Sequence, residues 1–250
     1  MKRIMRILSC LMMIFAMIGC SHADDSSMNY PESGISKYSE IPSGPYAKRT
    51  ADWPIYQDAH ELVDHADMVL IGRVKSIEFQ VLDLTNALPI SEETPDHAKE
   101  LYTIYHMDVL TAYQGNVTNE ISVRVMGGMV GYETDQQLAM MEDHHAFNRE
   151  RGIPIWDQYS KAQCEVGKTY LFVLSQFETG LPTIVNLEQS VYDLEEPTRK
   201  NAIGENPAVY YSGNADEHGK PLISALDIVD SFGDECTKSF EKNWKDNLYK

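Results

Sequence analysis

Basic residues are scarce in this chain of 250 residues: 21 lysines and arginines stand against 38 aspartates and glutamates, a formal charge of −17. Phosphate contacts would be made against a repulsive field, which argues against a general nucleic-acid binder. Cysteine is rare too. Four cysteines are too few for a disulfide scaffold, and they lack zinc-ribbon spacing. No uncharged apolar run approaches the ~20 residues that a spanning helix needs. The chain holds no G-x-S-x-G, P-loop or dinucleotide fingerprint, so no catalytic motif argues for an enzyme. What is present is a 43% hydrophobic fraction, enough for a packed core. At ~150 residues per domain the length fits one domain or two small ones.

Lys2, Arg3 and Arg6 form a positive n-region, followed by an uncharged run from Ile7 to Ile18 of about 12 residues. That is the length of a signal-peptide h-region. The run ends in Met17-Ile18-Gly19-Cys20 and resembles the bacterial lipobox, in which cleavage precedes a cysteine that carries a diacylglyceryl group. Met17 stands where leucine is usual. Ordinary cleavage after Ala23, with Ser21 and Ala23 as the small residues, also fits. The lipobox reading implies a signal peptide over 1–19, an acyl anchor on Cys20 and a place in the bacterial cell envelope outside the cytoplasm. The membrane would then be a partner, held stably because more than one acyl chain engages it. Residues 1–19 hold three of the 21 basic groups and no acidic group, so the mature chain would carry −20. Such a surface favours solubility, and beyond that cationic partners or metal ions.

Residues 20–50 read as a flexible tether: Asp24 to Ser27 and then Pro31, Gly34, Pro42, Gly44 and Pro45 leave little apolar periodicity. The remainder, 51–250, reads as a single β-rich domain. Ala59, Leu62, Val63 and Ala66 predict a short helix over Tyr56–Asp67. Strands are predicted over Met68–Gln80, where Val69, Ile71 and Val74 stand among polar residues, and over the alternating segments Tyr102–Tyr113 and Ile121–Val125. Gly72 marks a bulge or a close backbone approach in the first of them. Tyr170 to Leu174 is a near-continuous apolar run, as a central strand would be. Thr183–Val185, Val191–Leu194 and Ala208–Tyr211 are shorter candidates. Two long loops, Asp83–Glu100 and Gly127–Gln163, interrupt the pattern, and weak helical spacing follows in Leu222–Phe232 and Phe240–Leu248.

The order of motifs carries a resemblance. Ala66-Asp67-Met68-Val69-Leu70-Ile71-Gly72-Arg73-Val74 is followed by a strand ending in Tyr113-Gln114-Gly115. Ile121 to Val125 comes next, then Cys164-Glu165-Val166-Gly167-Lys168-Thr169-Tyr170-Leu171-Phe172. This is similar to bacterial secreted proteins and lipoproteins with a TIMP-like OB-fold domain, over about residues 66–194. Gln114 departs from the usual lysine there, and Cys20 lies far upstream of the domain, so no inhibitory residue carries over. The resemblance implies an OB-like barrel, so the whole reads as a mainly β fold, with the short N-terminal helix, two long inserted loops and weak C-terminal helices added from the residues themselves. Members of that family are largely uncharacterised, so the function is a separate expectation: a non-enzymatic binding module for a protein or glycan, its specificity shaped by the two long loops.

Candidate chemistry is sparse. Outside the cytoplasm Cys164 and Cys236 could form one disulfide, remain two unbridged cysteines, or leave a reactive thiol. His60-Glu61-Leu62-Val63-Asp64-His65 misses H-E-x-x-H by one residue, which rotates the second histidine off the shared face. Met140-Met141-Glu142-Asp143-His144-His145 gathers thioether, carboxylate and imidazole, so His144 and His145 are candidate ligands for a metal ion. A metal-binding protein or metal-dependent hydrolase is the alternative reading. Apart from that metal, no cofactor is implied. Tyr102, Tyr105 and Trp156 are candidate stacking residues for a glycan on an OB-type face.

Overall fold

Two sixteen-residue strands, β2 (Met68–Asp83) and β3 (Lys99–Gln114), form an antiparallel pair around which the fold is built. The structure, a computed structural model, describes residues 44–49, 53–146, 152–156, 163–187, 189–194 and 223–246. The expected lipobox with Cys20, most of the expected tether and the expected Ala208–Tyr211 strand lie outside them.

The remaining strands are β1 (Tyr46–Arg49), β4 (Glu120–Met126), β5 (Ile153–Trp156), β6 (Thr169–Ser175), β7 (Thr183–Ile184) and β8 (Val191–Asp193). Register shifts along β2 and β3 fall at Val69/Leu70, Ile71/Gly72 and Val74/Ser76. Such irregularities bend and twist a strand, which lets β2 serve two neighbours. Its Met68–Arg73 half pairs with β6 as well as with β3. The circuit β2-β3-β4-β7-β6 therefore returns to β2 and closes a five-stranded barrel. The β4–β7 pairing is parallel and the others are antiparallel. This is an OB-like barrel. Gly72 meets the bulge expectation, since one of these register shifts falls between Ile71 and Gly72.

Both faces of β6 and of the Met68–Gly72 stretch of β2 are buried. Leu70, Phe172 and Leu174 join Tyr105, Met107 and Val123 in the inner cluster. Val69, Ile71, Leu171 and Val173 lie in a second cluster with helices α1 (Ala59–Asp64), α3 (Ala225–Asp230) and α4 (Asp234–Lys245). Burial on two sides is why Tyr170–Leu174 reads as a near-continuous apolar run. Two of these helices, α1 and α3, have six residues each and open on side-chain caps. Asp58 accepts from Glu61 N at 2.8 Å to open α1, and Ser224 with Asp227 forms a capping box on α3.

Three expectations need correction. The first helix spans six residues, not the twelve suggested by its periodicity. The 20–50 tether is too long, because β1 pairs in parallel with β5, Tyr46 opposite Ile153. Part of the Gly127–Gln163 loop is ordered, as β5 and helix α2 (Thr134–Asp143). Gln137 explains the position of α2: fully buried, it accepts from Met129 N at 2.9 Å and donates to the carbonyls of Met129 and Tyr132.

The expected cystine is a fourth correction. No disulfide joins Cys164 to Cys236. Cys164 lies in the inner cluster, whereas Cys236 packs on α4 against the other one. Burial pushes the Cys164 thiol well above its ordinary pKa, which suppresses the reactive thiolate. Ellman titration of the native protein is expected to detect Cys236 and to miss Cys164, and denaturation without reductant should expose both. A bridged pair would give neither signal until reduced.

Candidate functional site

β4 and β7 share one register pair, Arg124 with Thr183, and the barrel wall is thinnest there. Against this junction lies a cavity of about 580 Å³, within the range of small-ligand sites. Three parts of the fold enclose it: β3 and β4 supply Tyr102 and Arg124, the β2–β3 loop supplies Leu84–Ala87, and the β6–β7 loop supplies Phe177–Thr179. The loops meet across its mouth, where the Thr179 hydroxyl donates to Asn86 O at 3.4 Å.

Alternation along β4 turns Val123 and Val125 into the barrel, and so turns Arg124 outward under the loops. The residue is 4% exposed. Its Nη1 donates to Ala87 O at 3.1 Å, and its Cζ lies 5.6 Å from the centre of the Phe177 ring. Burial lowers its pKa, with Tyr102 acting in the opposite sense. The Tyr102 phenol is pushed up to about 12, mainly by burial, and stays neutral at physiological pH. Gly180, at φ +78°, closes over this group. A Cβ there would fall against Arg124 Nη1 and within 3.0 Å of Ala87 O.

Of the expected stacking residues, Tyr102 alone lines the cavity. Tyr105 is buried in the inner cluster, its hydroxyl accepting from Cys164 N at 3.4 Å. Trp156 packs edge-on against Trp53, ring centres 6.2 Å apart, and it is Trp53 that reaches the cavity. Arg124 and Phe177 were not singled out by sequence.

Among the described residues, His144 and His145 join no metal-ligand set. His144 caps the end of α2 and His145 follows at φ +54°, both exposed. Among the described residues no three His, Cys, Asp or Glu side chains converge. Met129 and Met141, 3% and 2% exposed, are core. Glu61 is committed to its helix start, accepting from Gln57 N at 2.6 Å.

A second polar cluster lies on the outer face of β2, β3 and β4. Ser122 Oγ is 2.8 Å from His106 Nδ1, and His106 Nε2 is 3.1 Å from Glu78 Oε2. The order serine, imidazole, carboxylate invites a catalytic reading. Its field opposes one. Asp108 and Glu120 stand beside it on Lys75, at 3.1 and 2.7 Å, so with Glu78 three carboxylates outweigh one ammonium. A developing oxyanion would be repelled where catalysis needs stabilisation. The group is a cross-strand polar network, His106 directly opposite Ser122.

No protein-family model and no curated protein sequence matches this chain.

Proposed function

We propose that this protein is a lipid-anchored binding module of the bacterial cell envelope, outside the cytoplasm, related to the TIMP-like OB domains and holding a protein or glycan ligand in the cavity at Arg124. One observation carries the binding half. The cavity lies on the second and third barrel strands, between the loops that join strands one to two and four to five, the surface OB barrels use for ligands. Binding fits better than catalysis, since the described lining has no histidine or cysteine and one carboxylate, Glu178. The anchoring half rests on Lys2, Arg3, Arg6, the apolar run and Gly19-Cys20. Among the described residues no helix is long and apolar enough to cross a membrane.

The binding test is an array of glycans and peptides probed with the mature chain and with Phe177→Ser, a change at a side chain 57% exposed. A ligand that the variant loses, at unchanged melting temperature, supports the cavity. Ligands retained in full by the variant, or no ligand at all, refute it. For the anchor, Cys20→Ala is expected to abolish acyl labelling and to release the chain from the membrane fraction. Persistent labelling would place the acyl group elsewhere.

A further inference from the structure

The cations elsewhere on this surface show what is unusual about Arg124. Lys75 touches Asp108 and Glu120, Lys99 touches Asp96, and Lys168 touches Glu165 and Asp193. Each of these lysines is paired although partly exposed. Arg124 is more buried than any of them, yet among the described residues no carboxylate lies within ion-pair distance of it. The chain has 38 carboxylates to draw on, so this isolation is not a shortage of acid. Of the five N–H groups of a guanidinium, the described contacts use one, on Ala87 O. A buried charge without a counter-charge is unfavourable. Here it lies on the wall of an open cavity, so a ligand can supply the counter-charge.

We infer that the cavity takes a sugar acid, its carboxylate on the Arg124 fork and its ring against Phe177. This deepens the binding reading above and rests on it. The planar guanidinium matches a carboxylate in a bidentate pair, which favours an acid over a neutral group. Phe177 supplies the exposed apolar face that a sugar ring stacks on, and Asn86 and Thr179 supply a polar rim. The formal charge of −17 selects against polyanions, so a ligand with one acid group on a compact ring fits better than a sulfated polymer or nucleic acid.

The test is calorimetric titration of the full chain with methyl glucuronide and methyl glucoside. A tripeptide is tried with its C-terminus either free or amidated. Glucuronide is expected to bind, and glucoside to bind about 10- to 100-fold more weakly, the scale of one charged hydrogen-bonded pair. Arg124→Gln should remove the preference. Because that residue also ties down a loop, Phe177→Asp is the companion: it alters an exposed side chain and sets a carboxylate beside the guanidinium. It should abolish glucuronide binding at an unchanged melting temperature. Equal binding of glucuronide and glucoside, both lost in Phe177→Ser, would overturn the acid requirement and leave the cavity reading intact. Binding of the free-acid tripeptide alone would replace the sugar with a peptide terminus. Silence from all four probes overturns the inference, and the array then decides the cavity reading separately.

Discussion

Gly128→Ala is expected to destabilise the protein by about 3–5 kcal/mol, combining overpacking with a disrupted buried hydrogen-bond group. The added Cβ would collide with Gln137 Oε1 and Ile153 Cγ2, and would lie 3.1 Å from Leu101 Cδ2. Ile153, Leu101 and Gln137 are each 0% exposed, so none has room to retreat. Gln137 Oε1 is also the acceptor for Met129 N, and displacing it leaves that N–H buried and unpaired. For a domain of this size the loss corresponds to roughly 10 °C in melting temperature. Gly167→Ala is the control. It lies at φ +90° with nothing within 4 Å of a new Cβ, so it carries backbone strain of about 1 kcal/mol and no clash. Urea unfolding of the two variants reads the difference. Equal losses would mean that the α2 packing is not as described.

The second large effect separates a strand covered on both faces from one covered on a single face. Phe172→Ala and Leu171→Ala act on neighbouring residues of β6 that point in opposite directions, into the inner and outer clusters. Both are 0% exposed. The phenylalanine change is expected to cost about 3–5 kcal/mol and the leucine change about 2–5 kcal/mol. A β6 with one solvated face would show the first loss and almost none of the second. Denaturant melts of both variants decide it, and a small Leu171→Ala effect would remove the helical layer from the stability of the barrel.

Much of this barrel was legible because a strand declares itself through alternation. Ile121, Val123 and Val125 marked β4 as half-buried, and Tyr170 to Leu174 marked β6 as enclosed. Helix α2 was hidden because its burial rests on Gln137 and Met141 and not on an apolar stripe. β1 was hidden by length: four residues among prolines and glycines, paired with a segment more than a hundred residues later, leave no local pattern. The site was half visible. Tyr102 and Tyr105 looked like partners by proximity, yet an odd spacing on a strand sends them to opposite faces, and only Tyr102 reaches the cavity. Arg124 is the polar residue between Val123 and Val125, a place where alternation alone predicts solvent. What buries it is the Phe177–Gly180 loop folding over β4, a tertiary fact with no signature in β4 itself. The cysteine pair was illegible for a similar reason, since an oxidising compartment permits a bridge but does not show that each thiol packs into a different cluster.

The closure of β2 on β6 has a consequence for how the chain is made. Met68–Arg73 leaves the ribosome roughly a hundred residues before its second neighbour, Thr169–Ser175. Until that segment follows, the β2–β3 ribbon has an unsatisfied border of backbone donors and acceptors, an invitation to join other copies. Contacts this remote in sequence also form slowly. A newly made chain thus passes through a vulnerable interval that ends only when β6 docks.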